Sequence, residues 1–352
     1  MASVQDTGRA KITGDFIVHI PKLYPEKGVY VEPLHEVWFG SLFNGSVARY
    51  SLSTKTYEYI SIPNVTGRDG YCVAGVAFDA KYSKVWVTVA LYTVWDTPGQ
   101  NLVSPGRLIS LDFQGQVIDD VDLTPLEDVA FETNGGHKVS GWGDQVCDAN
   151  GNVFAVAVWG NVIARWDAVT KKASLYYAEP NPLIVPFSGY TGIENYKDQL
   201  LILYNVEYGR IETFNLKAPT GTPRIPAISN WDRRVGMKIS GDALLLPPKY
   251  DGKVLLMGDN GEGAGTPPQG VRVFISKDAW ATVHYLGFVD TTREDGGFPT
   301  WAYEIQGSIY VSMMYFAEGA PPGPVFMRPG NRDAFPQLDI TQKVHDLVAK
   351  EL

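Results

Sequence analysis

At 352 residues and 45% hydrophobic, the chain can bury a large core and is not disordered. Its net charge of −9 argues against nucleic acid or an anionic membrane as the main partner. No run approaches the roughly 18 apolar residues of a membrane span, and the polar start lacks the apolar core of a signal peptide, so a cytoplasmic protein is expected.

Residues 1–14 read as a flexible leader. Asp15 to Ile20 looks like an isolated strand with no hairpin partner beside it. A first unit runs from about Val29 to Ile62, with Val37-Trp38-Phe39, Val47 to Tyr50 and Tyr57 to Ile60 as strands. A second contains Val73 to Phe78, Lys84 to Ala90, Arg107 to Leu111 and Val117 to Leu123, interrupted by a long insertion from Leu91 to Pro105. The third is the clearest. A run ending at Cys147-Asp148 meets a tight turn at Asn150-Gly151, where glycine tolerates positive φ. Val153 to Val158 follows, then a Gly160-Asn161 turn, Val162 to Trp166 and finally Ala173 to Tyr177.

The fourth unit holds Tyr190 to Glu194, Leu200 to Tyr204, Arg210 to Phe214 and Arg224 to Ile228. The fifth holds Ala243 to Leu246, Val254 to Met257, Val271 to Ile275 and Val283 to Val289. The sixth holds Trp301 to Ile305, Ile309 to Tyr315 and a short Val325-Phe326-Met327, and then runs out of strand. The units recur about every 50 residues, the period of propeller blades. The pattern predicts a single all-β domain, a six-bladed β-propeller. Asp15 to Ile20 would supply the strand missing from the last blade, so that no sheet edge is left exposed. Val344, Leu347, Val348 and Leu352 recur at helical spacing, predicting a C-terminal helix within 340–352 packed outside the ring.

No strong catalytic motif is present. The Gly258 to Gly263 run lacks the Gly-Lys-Ser/Thr of a P-loop, and there is no nucleophile elbow, CxxC pair or HExxH. Cys72 and Cys147 read as free thiols in strands. In a propeller the ligand site is expected at one mouth of the channel. That mouth is lined by the loops leading into the inner strands and by the loops between second and third strands. Candidate donors there are Tyr71, Tyr190, His137, Arg68 and Lys238. Candidate binding aromatics are Tyr92, Trp95, Trp142, Trp159, Tyr204, Trp301 and Tyr315. An aromatic-lined cavity with few charges suits an apolar substrate, and the Leu91 to Pro105 insertion is expected to cover it, with Tyr92 and Trp95 facing the ligand. If a reaction needs a general acid, Asp144 and Glu194 are the candidates.

The turn Asp148-Ala149-Asn150-Gly151-Asn152-Val153-Phe154 is similar to the Asp-x-x-Gly-Asn-aromatic turn of gluconolactonase-like and strictosidine-synthase-like propellers. Metal-dependent lactonases of that superfamily set Glu, Asn and Asp around a channel ion, for which Glu194, Asn260 and Asp144 are the residues to consider. Length, aromatic-rich strands and the lack of a metal motif resemble instead the fungal biosynthetic-cluster propellers, the trichothecene-cluster proteins and the hetero-Diels-Alderases. This resemblance implies a metal-free pocket, with no cofactor, that steers a reactive intermediate. The expected activity is a secondary-metabolite cyclase, most simply a hetero-Diels-Alderase adding an o-quinone methide to a sesquiterpene alkene such as humulene. The alternatives are a metal-dependent lactonase or esterase and a non-catalytic propeller that binds partners.

Overall fold

The computed structural model describes residues 11–351 except 98, 184–188, 232–240, 262–267, 317 and 320–326. It is a six-bladed β-propeller. Strand β1 (Phe16–His19) comes first in the chain and belongs to the last blade. Blade one is β2 (Pro25–Val31), β3 (Glu36–Ser41), β4 (Ser46–Ser51) and β5 (Tyr57–Ser61). Blade two is β6 (Tyr71–Asp79), β7 (Lys84–Leu91), β8 (Arg107–Leu111) and β9 (Val117–Asp122). A short helix α1 (Thr93–Asp96) sits in its insertion, and helix α2 (Thr124–Thr133) follows it. Blade three is β10 (Ser140–Cys147), β11 (Val153–Trp159), β12 (Val162–Asp167) and β13 (Lys172–Ala178). Blade four is β14 (Tyr190–Tyr196), β15 (Leu200–Asn205) and β16 (Arg210–Asn215). Strand β17 (Ala227–Ser229) precedes blade five, which is β18 (Gly241–Leu245), β19 (Val254–Asp259), β20 (Gly270–Ile275) and β21 (Thr282–Asp290). Blade six is β22 (Phe298–Ile305), β23 (Ser308–Met314), β24 (Ala334–Asp339) and β1, and helix α3 (Thr341–Val348) ends the fold.

The second strand of each blade explains the apolar runs in the sequence. Every residue of β11 is buried, and so is every residue of β23. These strands are covered on both faces by neighbouring blades, so their composition is continuous rather than alternating. At the Asn150-Gly151 turn, Gly151 has φ of +83° and lies where a side chain would strike the Tyr82 ring, so glycine is required there twice over.

Closure occurs as expected. β1 pairs antiparallel with β24, Phe16 opposite Gln337 and His19 opposite Ala334, and Val18 and Ile20 are fully buried. Three details differ from the sequence reading. The third strand of blade six is Ala334–Asp339; Pro336 within it made the segment look like a loop, yet it sits opposite Ile17 of the outermost strand. Of Val325-Phe326-Met327 only Met327 is described, and it is outside any strand. Arg224 to Ile228 is not the outer strand of blade four. Pro223 and Pro226 limit it to one bridge between Arg224 and Thr213, and Ala227–Ser229 crosses to pair in parallel with β21. Helix α3 packs outside the ring with Val344 and Val348 buried. Among the described residues no helix is long and apolar enough to cross a membrane.

Candidate functional site: a bulge layer on the channel axis

All six inner strands break register against their second strands at the same height. The shifts fall at Pro25/Gly28, Val73/Val76, Trp142/Asp144, Tyr190/Gly192, Gly241/Leu244 and Pro299/Trp301. Each inserts one extra residue, a β-bulge, which frees backbone from the ladder and re-aims side chains. The freed groups are latched to neighbours. Thr300 Oγ1 donates to the Glu26 carbonyl at 2.8 Å, and Thr191 Oγ1 to the Gly241 carbonyl at 2.8 Å. The Gly75 amide donates to Thr88 Oγ1 at 2.8 Å. Blades approach closely here. A Cβ on Gly192 would lie 2.8 Å from the Asp242 carbonyl, so glycine lets the two bulges meet.

This layer gathers charge. Lys27 from blade one donates to Asp144 Oδ1 of blade three, and both side chains are nearly inaccessible. Asp144 also accepts the Gln145 amide at 2.7 Å and the Ile193 amide of blade four at 3.2 Å. Burial nevertheless pushes its carboxyl up, against the pull of Lys27. Glu26 and Asp242 approach the same pair. Burial first, then repulsion from Asp242 and Asp144, holds the Glu26 carboxyl well above its ordinary range. Burial and the Asp144 charge push Asp242 up to about 7. Asp242 Oδ2 accepts Asn260 Nδ2 at 3.2 Å. Further along β14, Glu194 is pushed up to about 8, by burial and secondarily by Asp144, with Lys27 opposing. Glu26, Asp242 and Glu194 are only half-buried. The site therefore sets carboxyls raised toward neutrality, Glu194 and Asp242, beside the Lys27–Asp144 ion pair, which is the composition of an acid–base centre.

Lys27, Gln145 and Glu194 also line a cavity of about 930 Å³. Its walls are the far ends of the inner strands, so it opens on the face where those strands end, the lower face. The sequence reading placed the site on the upper face, where they begin.

The upper-face candidates divide into two groups. Trp142, Tyr190, Tyr204 and Trp301 are fully enclosed between blades. Trp142 Nε1 donates to Glu127 Oε1 at 2.7 Å, and Tyr190 donates to Glu212 Oε2 at 2.7 Å. Trp301 stacks on Tyr303 with ring centres 4.4 Å apart. Tyr315 donates to Asp295 at 3.1 Å beneath the Arg332 guanidinium. Trp159 is buried against Trp95, their ring centres 5.9 Å apart. Tyr92 is half-buried against Phe43. Tyr71 is half-buried under Arg68, which is exposed. His137 is held through its backbone, its amide donating to Asn134 Oδ1 at 2.9 Å. Lys238 lies outside the described residues. Helix α1 ties this face together: Trp95 meets blade three, while Asp96 accepts the Met327 amide at 2.8 Å and pairs with Arg328 at 3.1 Å beside blade six.

Of the acid candidates, Asp144 and Glu194 come together at Lys27. Glu26, Lys27 and Asp242 were not among the candidates: they flank bulges in Pro25-Glu26-Lys27-Gly28 and Gly241-Asp242, where the apolar strand pattern is broken. The available signal was the polar or small residue that breaks the apolar pattern near the start of every inner strand. A channel ion does not fit the residues considered for it. Asp144 holds Lys27, Asn260 turns its amide nitrogen to Asp242, and among the described residues no three His, Cys, Asp or Glu side chains converge on one point.

No protein-family model matches the chain, and no curated protein does. Solved structures match it over nearly its whole length. The allergen Mala s 1 of Malassezia sympodialis superposes with a TM-score of 0.78 at 18% identity, over 94% of this chain and 96% of that one. The shared property is the propeller fold. A luciferin-regenerating enzyme matches at TM-score 0.54 and 11% identity, over 93% and 95% of the two chains. A gluconolactonase from Xanthomonas campestris matches at 0.51 and 11%, over 92% and 89%. At these identities the likeness carries the architecture and nothing of the chemistry.

Proposed function

We propose that the protein is a cyclase of small-molecule metabolism that closes rings by general acid–base catalysis in its channel. The observation that carries this reading is Glu194, a half-buried carboxyl on the cavity, held protonated near neutrality beside the Lys27–Asp144 pair. Glu194 gives its proton to an epoxide or alcohol oxygen, and the C–O bond breaks with its electrons on that oxygen. A hydroxyl of the same molecule bonds to the carbon, and the proton it loses passes to the Glu194 carboxylate. Lys27 offsets negative charge while Glu194 is ionised, and the low-dielectric channel strengthens that effect. Two of the fold neighbours are enzymes, which is compatible with this reading. The cycloaddition branch has less support. It relies on aromatic donors at the mouth, and those of Trp142 and Tyr190 are already engaged by Glu127 and Glu212.

The test is product profiling on a panel of neutral epoxide and tertiary-alcohol terpenoids. The acid must be protonated to act, so kcat should fall as pH rises through about 8. Glu194→Gln should lower kcat by about 100-fold or more. A rate flat across that range, with Glu194→Gln and Asp144→Asn both active, is the cycloaddition outcome and overturns the acid–base reading.

A further inference from the structure

We propose that the ligand chamber opens on the lower face, and that it takes a neutral, mainly apolar molecule with one acceptor oxygen, which meets the Glu194 carboxyl inside. What Glu194 does to that oxygen rests on the acid–base reading above; where the molecule sits does not.

The chamber draws a wall residue from each blade, among them Val29, Phe78, Val146, Ile193, Leu245 and Tyr303. Its volume of about 930 Å³ suits a compact polycyclic or macrocyclic molecule, near the upper end of ordinary ligand pockets. Several polar groups of the lining are already engaged. The Lys27 ammonium is taken by Asp144, Gln145 Nε2 donates to the Trp86 carbonyl at 2.8 Å, and the Tyr303 hydroxyl donates to Gln337 at 2.8 Å. Glu304 accepts the Lys249 amide at 3.1 Å. An anionic ligand would meet no uncommitted cation deep in the chamber among the described residues, and it would lose its hydration on entering. A ligand oxygen facing Glu194 finds an O–H donor instead.

Helix α1 lies on the upper face. Helix α1 reaches from Trp159 of blade three to Met327 and Arg328 beside blade six. On the lower face the rim carries Lys11, followed by a segment fixed at the edge of blade six. There Ser308 Oγ donates to the Ile12 carbonyl at 3.1 Å, and the Gly14 amide to Asp339 at 2.8 Å.

The experiment uses the full chain, with cyclododecanone as the neutral probe and cyclododecanecarboxylate as its anionic counterpart. Binding is followed by saturation-transfer NMR at pH 7. Two variants narrow the chamber: Leu245→Trp on its wall and Ala80→Trp on its exposed rim, which leaves the core intact. The ketone should bind the unmodified protein and the carboxylate about tenfold more weakly. Each tryptophan should weaken ketone binding by about tenfold or more, by steric exclusion. Ketone binding unchanged in Ala80→Trp, or anion preferred over ketone, overturns the proposal. The acid–base reading is judged separately, by turnover of Glu194→Gln. Blocked binding with an active Glu194→Gln keeps the chamber and removes the acid; the reverse pair of results removes the chamber alone.

Discussion

The same inner strands build two unlike regions, one between the blades and one along the axis. Between the blades, large aromatics are enclosed, and a carboxylate such as Glu127 or Glu212 answers a single donor. Along the axis, Asp144 pairs with Lys27, its charge acts on Glu26, Asp242 and Glu194, and those three are only half-buried. The first arrangement holds the ring together. The second stores protonated acids at neutral pH, which stability alone does not call for. The register breaks serve both: Trp142, Tyr190 and Trp301 flank them and pack between blades, while Asp144 at the same level holds Lys27.

Breaking the ring should have the largest effect. Removing residues 1–21 takes away β1 and the buried Val18 and Ile20, exposing β24 and its apolar face. The truncated chain should be insoluble on expression. A soluble product with unchanged melting temperature would mean that β1 is not needed for closure.

Next comes the packing region. Trp301→Ala empties a fully enclosed site against Tyr303 and Phe39, and should cost about 3–5 kcal/mol by chemical denaturation. If the comparison holds, the variant loses stability while the pH dependence of turnover is retained. A stable variant with altered pH dependence would place Trp301 in the site.

Stability against pH comes last, and its sign is informative. The folded Glu194 carboxyl titrates near 8, whereas the unfolded one does so in the ordinary range, roughly 4. Between those values the folded chain holds the extra proton, so stability declines as pH rises through that window. Glu194→Gln should flatten this decline without changing the melting temperature much at low pH. An unchanged slope would assign the pH dependence to another group.

Six blades, closure by the first strand and the final helix were legible because two-sided burial writes continuous apolar strands, and because glycine turns such as Asn150-Gly151 separate them. Blade four's outer strand was misread because apolar residues around Pro223 and Pro226 look like a strand but cannot extend a ladder. The aromatic candidates were read from abundance at strand ends, yet burial of Trp142 and Tyr190 depends on neighbouring blades that no local pattern shows. Asp144 and Glu194 were candidates for a general acid or for a channel ion. Glu26, Lys27 and Asp242 were not, because a bulge breaks the apolar strand pattern, and their meeting joins positions more than a hundred residues apart.

The central claim is that the channel holds a neutral carboxylic acid at physiological pH. Infrared difference spectroscopy of the carboxyl C=O stretch, titrated from acid to alkaline pH in the full chain and in Glu194→Gln, measures it directly. The account predicts protonated-carboxyl absorbance that persists at pH 7, with a component that disappears through about 8 and is lost in the variant, while the contribution of Glu26 and Asp242 remains. A protein whose carboxyls have all ionised by pH 6, or a component titrating near 8 that Glu194→Gln leaves unchanged, would contradict it.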